Sequence, residues 1–385
     1  MHELIAAVAG VGFVGRAHIE ALRRLGVRVI GILESTPEQG RRAAQRLGVP
    51  RSYSGIQELL ADDDVDVVHV CTPNGLHYGM SQAALAAGKH VVCEKPLAMN
   101  SDQARELVQM AEETERSVAA VNHNLRYYPL CQEARARVEA GDLGDVRIVH
   151  GEYLQDWLFL PTDWNWRVDP AQGGELRAVA DIGTHWMDMI TWITGQRITE
   201  VFADLTTFIR KRLKPAGGVE TFAGASKGSQ GVQEVGVNTE DYATILLALD
   251  GGARGALTVS QISAGRKNHF WWEINGSKAS MSWDQECPNR LWMGYRERPN
   301  EDIIKDPALM QTASREFADY PGGHAEGYPD TFKQLHKDIY GYIAAGDFSL
   351  PPPFPTFEEG YRQMVLCETI LRSTRDGRWV QVPNE

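Results

Sequence analysis

The first third of the chain alternates between short apolar runs and stretches whose apolar residues recur every three to four positions. Residues 4–9 are apolar, residues 16–26 (RAHIEALRRLG) carry a helical period, and Arg28–Leu33 is a second apolar run. The alternation continues with a strand over 65–71, a helix over 77–87, a strand over His90–Cys93, a helix over 101–116 and a strand over 118–121. Strands separated by helices predict a parallel sheet, hence an α/β domain over residues 1–124. The pattern changes after that. A helix over 129–140 leads to a strand at Val146–Leu154, and runs at 200–209, Tyr242–Leu249, 253–259, 270–274 and 279–283 read as antiparallel strands joined by turns such as DGG and NGS. Glycine-rich residues 214–236 read as a lid-like loop, residues 351–355 as a stiff proline connector, residues 331–345 and 357–373 as helices, and 379–382 as a last strand. These make a second domain over 125–385, with its last helix expected to pack back on the first.

Between the first strand and first helix lies Gly10-Val11-Gly12-Phe13-Val14-Gly15, and Glu34 ends the next strand. Gly10 permits a tight turn, Gly12 lets the backbone approach a pyrophosphate, and Gly15 lets helix pack on strand. The N–H groups at the helix start then face the phosphates, and Glu34 reaches the ribose hydroxyls. The pattern predicts a dinucleotide site. A carboxylate at position 34 suits NAD and repels the extra phosphate of NADP, although Arg41 and Arg42 lie nearby in sequence and are either phosphate ligands or a solvated helix face. Ligands of such sheets bind beyond the carboxyl ends of the strands. Thr72-Pro73-Asn74 with His77, Glu94-Lys95-Pro96 and Asn122-His123-Asn124 should therefore face the crevice.

Residues 181–188, DIGTHWMD, sit in a second amphipathic stretch. On a helical wheel Ile182, Trp186, Met189, Ile190 and Ile193 form one stripe, and Asp181, Thr184, His185 and Asp188 lie opposite. One reading is a helix capped by Asp181 with a solvated polar face; the other is an active site with a histidine base. Asp188 reads as surface or structural. The loop QDWLFLPTDWNWRVD places Trp157, Trp164 and Trp166 beside Gln155, Asp156 and Arg167, a composition suited either to a small core or to stacking on sugar rings. His324, in GGHAEGYPD, is either a loop histidine or a substrate ligand.

Composition narrows the partners. The 385 residues are 43% hydrophobic with a net charge of −12, which argues against nucleic acid or an anionic membrane. No apolar run approaches the roughly 18 residues of a membrane span. The N-terminus lacks a basic region before its apolar residues and reads as a strand, not a signal peptide. Five scattered cysteines without a CxxC pair fit reduced thiols in the cytoplasm, and no metal-ligand spacing is present.

With GVGFVG, TPNGLH and CEKPLAMN in this order before DIGTHWMD, the chain resembles the Gfo/Idh/MocA oxidoreductase family, named for glucose–fructose oxidoreductase, inositol dehydrogenase and a rhizopine catabolism protein. The resemblance covers essentially the whole chain. It implies a Rossmann domain followed by an α+β domain, whose large, mostly antiparallel sheet buries one face on helices and offers the other to a homodimer or homotetramer. It implies that Lys95 meets the reacting hydroxyl and nicotinamide ribose, that His185 is the general acid/base, and that Asp181 orients it or the substrate. Pro73, Asn74 and Glu94 would touch the cofactor, and Arg167 of the Trp166-Arg167 pair would lie near nicotinamide and substrate. Including Asn122, Gln155, Asp156, Trp164 and His324 as substrate contacts, this gives an NAD-dependent dehydrogenase for a secondary hydroxyl of a sugar, glycoside or cyclic polyol, with no metal in the reaction. One departure stands out: Gly173-Gly174 is followed by Glu175 and LRAVA before Asp181, where many members carry three glycines closer to the acid. The alternatives are a glycoside hydrolase or lyase using bound NAD transiently, and a non-enzymatic NAD and sugar sensor, which the retention of both Lys95 and His185 disfavours.

Overall fold

The computed structural model describes residues 3–114, 116–216 and 231–383. The chain divides into two compact units, one comprising residues 1–124, 171–174 and 332–364, the other 125–170, 175–331 and 365–385.

In the first unit, β1 (Ile5–Ala9), β2 (Arg28–Leu33), β3 (Arg51–Tyr53), β4 (Val67–Val70), β5 (His90–Cys93) and β6 (Ala119–Val121) form a parallel sheet in the order β3-β2-β1-β4-β5-β6. The strands are buried almost throughout, as a sheet covered on both faces requires. The order reverses between β1 and β4, which opens a crevice at their carboxyl ends. The helices are α1 (Phe13–Arg24), α2 (Pro37–Leu47), α3 (Ile56–Leu60), α4 (His77–Ala86) and α5 (Ser101–Glu113). The short β3 and α3 escaped the periodicity reading because three and five residues give too little alternation to register. Thr36 caps α2 through its side chain at Gln39 N–H, and Asn100 caps α5 at Gln103 N–H.

The second unit starts with α6 (Pro129–Glu139) and β7 (Val146–Leu154), followed by a short α7 (Pro170–Gly173), of which residues 171–173 belong to the first unit, and α8 (Thr184–Thr194). Its sheet has nine strands, ordered β16-β15-β14-β13-β7-β12-β11-β8-β17: β8 (Ile198–Thr206), β11 (Tyr242–Leu249), β12 (Arg254–Ser260), β13 (His269–Gly276), β14 (Ser280–Asp284), β15 (Arg290–Gly294), β16 (Glu301–Ile304) and β17 (Val380–Gln381) join β7. All pairs are antiparallel except β12 with β7, so the sheet is mostly antiparallel, as expected. Residues expected in one glycine-rich lid instead supply, at their ends, β9 (Lys211–Pro215) and β10 (Val232–Gly236), an antiparallel ribbon. The rest of that loop lies outside the described residues.

One core packs Leu130 and Ala134 of α6 and Trp186, Met189 and Ile190 of α8 on Val149, Phe270 and Trp272 of the sheet. Two long helices follow, α9 (Tyr328–Ala345) and α10 (Phe357–Asp376). Phe357 and Met364 of α10 belong to the first unit's core, and Leu366, Cys367 and Ile370 to the second's. The five cysteines are all free thiols. No helix among the described residues is long and apolar enough to cross a membrane.

Candidate active site

In the first unit the glycine loop has the geometry a dinucleotide needs. Gly10 has φ +83°, and a Cβ there would lie 2.6 Å from the Cys71 carbonyl oxygen. A Cβ on Gly15 would collide with the Gly10 carbonyl. A Cβ on Gly12 would meet nothing within 4 Å, so the requirement for glycine there comes from no protein neighbour. Gly12 stands at the N-cap of α1 and offers no capping side chain, leaving that helix end suited to a phosphate. Phe13 is exposed and Val14 half-buried at that end. Glu34 Oε1 accepts from Val11 N–H at 2.9 Å, which fixes the carboxylate beside the loop. Arg41 is exposed, and Arg42 is engaged with Glu38 at 2.6 Å on the helix surface. These residues fit NAD on the structure's own terms: the turn, the open approach at Gly12 and the positioned carboxylate are all in place.

Around the strand ends the side chains interlock. Asn74 is buried and donates through Nδ2 to the Gly173 carbonyl at 2.9 Å. His77 is buried with its ring nitrogens 2.7 Å from the Pro96 carbonyl and 2.8 Å from that of Thr72, so it ties the β4 and β5 loops together. Burial lowers its pKa, although both carbonyls favour the charged ring. Thr72, Pro73 and Lys95 are half-buried, and the Lys95–Pro96 peptide is cis. Glu94 Oε1 lies 2.9 Å from His18 Nε2 and accepts from Asn122 Nδ2. Burial pushes the Glu94 carboxyl upward, but the hydrogen bond that His18 donates and the nearby Lys95 charge prevail and hold it below the usual carboxylate range.

In the second unit Asp181 does not cap a helix, contrary to one sequence reading. A π-helical turn over Val179–Gly183 precedes α8 without a break, and Asp181 lies inside it. The extra residue of such a turn re-aims side chains that a regular helix would align. The Asp181 carboxylate accepts from Arg167 Nε at 2.9 Å and from Gln261 Nε2 at 2.8 Å. Arg167 is held in turn by Asn165 Oδ1 and lies over the Trp166 ring, 4.3 Å from its centroid. Its guanidinium is therefore engaged with the Asp181 carboxylate.

The solvated-face reading is corrected as well. Thr184, His185 and Asp188 are buried. Asp188 is structural, in a two-pronged ion pair with buried Arg126 (Nε to Oδ2, 2.8 Å). His185 is one turn after Asp181, with its ring centroid 6.3 Å from that of Tyr153. Gln155 is buried, donating to Asn268 Oδ1 at 2.8 Å and accepting from Trp157 Nε1 at 2.8 Å. Tyr153 O–H donates to the same Asn268 oxygen at 2.9 Å. Asp156 pairs with Lys267 at 2.7 Å. Trp157 and Trp164 pack on a small cluster of Leu158, Val168 and Val237, and Lys214 lies 5.2 Å from the Trp164 ring centre. His324 is exposed in a turn.

Periodicity missed the residues that build the π turn. Glu240 is buried and accepts from the N–H groups of Arg177 and Val179 at 2.9 Å each; burial raises its pKa against those bonds. Arg177 and Arg212, both fully buried, share the Asp241 carboxylate. Gln261 directly follows β12. Only the run Thr239-Glu240-Asp241 at a strand start, with two acids where the sheet begins, carried any signal.

The comparisons agree with this geometry. Residues 4–123 match the oxidoreductase family with an NAD-binding Rossmann fold, and residues 131–282 match the GFO/IDH/MocA C-terminal domain. The chain is 29% identical to levoglucosan dehydrogenase of Pseudarthrobacter phenanthrenivorans over 100% of this chain and 99% of that protein. It is 30% identical to myo-inositol 2-dehydrogenase of Thermotoga maritima over 97% of each. A solved levoglucosan dehydrogenase in complex with NADH and L-sorbose superposes with a TM-score of 0.89 at 28% identity, over 100% of both chains. The chain belongs to the Gfo/Idh/MocA oxidoreductase family, with the family's NAD-binding Rossmann domain followed by its C-terminal domain.

Proposed function

We propose that the protein is an NAD-dependent dehydrogenase that oxidises a secondary hydroxyl of a sugar, glycoside or cyclic polyol. The observation that carries this reading is the clamp on Asp181: a carboxylate fixed by Arg167 and Gln261, one turn before a buried histidine. Similarity to levoglucosan and myo-inositol dehydrogenases supports the substrate class. In this reading His185 accepts the hydroxyl proton, because imidazole titrates nearest neutral pH. Asp181 orients His185 or a neighbouring hydroxyl. Lys95 stabilises negative charge developing on the oxygen. Bound NAD supplies the hydride acceptor at its nicotinamide ring. Glu34 favours NAD over NADP. Tyr153, Gln155 and Arg167 shape the sugar side. Assembly into a dimer or tetramer would use the open sheet face, where Ile148 and Leu246 are 51% and 39% exposed.

The test is reduced-nicotinamide absorbance with purified protein, NAD and a panel of free sugars, glycosides, anhydrosugars and inositols. The expected result is turnover with one class, lost in Lys95→Ala and His185→Ala while NAD still binds. Full activity in either variant would sink the assignment of roles.

A further inference from the structure

Three histidines converge inside the first unit, and one of them, His18, reaches Glu94 just beyond β5. His18 on α1, His69 on β4 and His336 on α9 each have no exposed surface. Each offers one nitrogen within 4.8 Å of the nitrogens of the other two. His18 Nδ1 faces His69 Nδ1 at 2.8 Å. The outer nitrogens of these two rings have partners: His18 Nε2 lies 2.9 Å from Glu94 Oε1, and His69 Nε2 lies 2.9 Å from Tyr340 Oη. The His336 ring centre is 4.7 Å from that of His18 and 5.0 Å from that of His69. Neither of its nitrogens has a hydrogen-bond partner among the described residues.

Proton counting makes this arrangement unusual for a plain core. Full burial favours the neutral imidazole, which has one donor and one acceptor nitrogen. The Glu94 carboxylate only accepts, so the His18 proton sits on Nε2 and the Nδ1 lone pair points inward. A proton on His69 Nδ1 bonds that lone pair while His69 Nε2 accepts from the Tyr340 hydroxyl, so these two rings are satisfied as they stand; His336 adds a third ring with nothing to bond. A buried ring with both nitrogens unmatched is costly and rare. A cation at the convergence point gives His336 a partner and takes the place of the His18–His69 hydrogen bond. His69 then carries its proton on Nε2, where the Tyr340 oxygen accepts it.

We propose that His18 Nδ1, His69 Nδ1 and one His336 nitrogen bind a single divalent transition-metal ion of the zinc class. Imidazole ligands without thiolates suit zinc, nickel or copper rather than calcium or magnesium. The outer shell has the form such sites use: a carboxylate fixes the His18 tautomer and a hydroxyl receives the His69 proton. Three ligands leave a position for water. The ion has no part in the proposed hydride transfer. It clips α1, whose first turn forms the dinucleotide loop, to the central strand β4 and to α9, which comes from near the end of the chain. The inference does not rest on the proposed oxidation.

The experiment uses the full chain without a polyhistidine tag, stripped with chelator and reloaded with Zn²⁺ or Co²⁺. One equivalent should remain after gel filtration, Co²⁺ should give the visible spectrum of a histidine-ligated ion, and Zn²⁺ should raise the melting temperature. His336→Phe, a buried ring of similar size, should lose all three responses. Glu286→Gln should keep them, which separates the site from the His269, Asp284 and Glu286 group on the other unit's sheet. Failure of the wild-type chain to retain metal overturns the proposal without any variant. So does an equivalent that survives in His336→Phe, or one lost in Glu286→Gln.

Discussion

Asp241→Asn removes a carboxylate that two buried guanidiniums share. Arg177, Arg212 and Asp241 have no exposed side-chain surface, and Arg212 Nη2 lies 2.9 Å from Asp241 Oδ1. Burial works against the Asp241 charge, but Arg177, the Ile209 N–H and Arg212 outweigh it and lower the pKa. Asparagine keeps the shape and loses the charge, leaving two cations buried together. Breaking one buried pair costs about 3–5 kcal/mol. The two pairs share one oxygen and are not independent, and Arg212 keeps the carbonyls of Leu158, Leu160 and Asp163. The loss is therefore about 4 kcal/mol rather than the sum. Exposed Arg290–Asp302, also a close pair, sets the contrast: Asp302→Asn should cost about 0–1 kcal/mol. All 10 tryptophans lie in the second unit, so urea unfolding followed by tryptophan fluorescence reports the affected unit alone. Because Arg177 leads into the π turn, activity should fall alongside stability. Asp241→Asn within about 1 kcal/mol of wild type would refute the reasoning, because it would mean the buried charges are not balanced by this carboxylate.

Gly12→Ala should weaken NAD binding about tenfold or more with no change in the melting of the cofactor-free chain, since its Cβ meets no protein atom within 4 Å; a calorimetric titration showing unchanged affinity would contradict the loop's role. Gln261→Ala deletes a 2.8 Å hydrogen bond to Asp181 and should lower kcat/KM about 10- to 100-fold, the worth of a bond to a charged group; steady-state kinetics at native turnover would refute it. His90 accepts from Val118 N–H at Nδ1 (3.0 Å), and burial, only partly offset by Asp66, lowers its pKa. The unfolded chain then binds a proton the folded chain refuses. Stability present above about pH 6.5 is lost as the pH falls toward the lowered value, by at most ~1.4 kcal/mol per pH unit from this site. Urea midpoints across that range should fall less steeply for His90→Gln, and equal slopes would exclude the effect.

Much of the first unit was legible because its signals are local. The apolar runs gave five of the six strands, and GVGFVG followed by Glu34 marked the dinucleotide loop. The strand-end segments were placed by a topological rule, and they interlock through Asn122, Glu94 and His77. The helical wheel around DIGTHWMD gave the right stripe and the wrong environment. Its polar face is buried because Arg126 reaches Asp188 across 62 residues and Gln261 reaches Asp181 across 80. Periodicity records which side of a helix is polar, not what covers it. The π turn was invisible for the same reason, since Glu240, distant in sequence, satisfies its N–H groups. The parallel β7–β12 pair was hidden because strand direction is a property of the connection, not of the strand's own residues. His18, His69 and His336, far apart in the chain, gave no ligand spacing at all.

The central claim is net hydride transfer from a substrate C–H to NAD. The most direct measurement is the yield of reduced nicotinamide against product, in one reaction mixture, with the best glycoside or polyol of the panel. The account predicts one NADH for every ketone formed. Cleavage of a glycoside with no net change in cofactor would contradict it and assign the chain to oxidation-assisted hydrolysis or elimination.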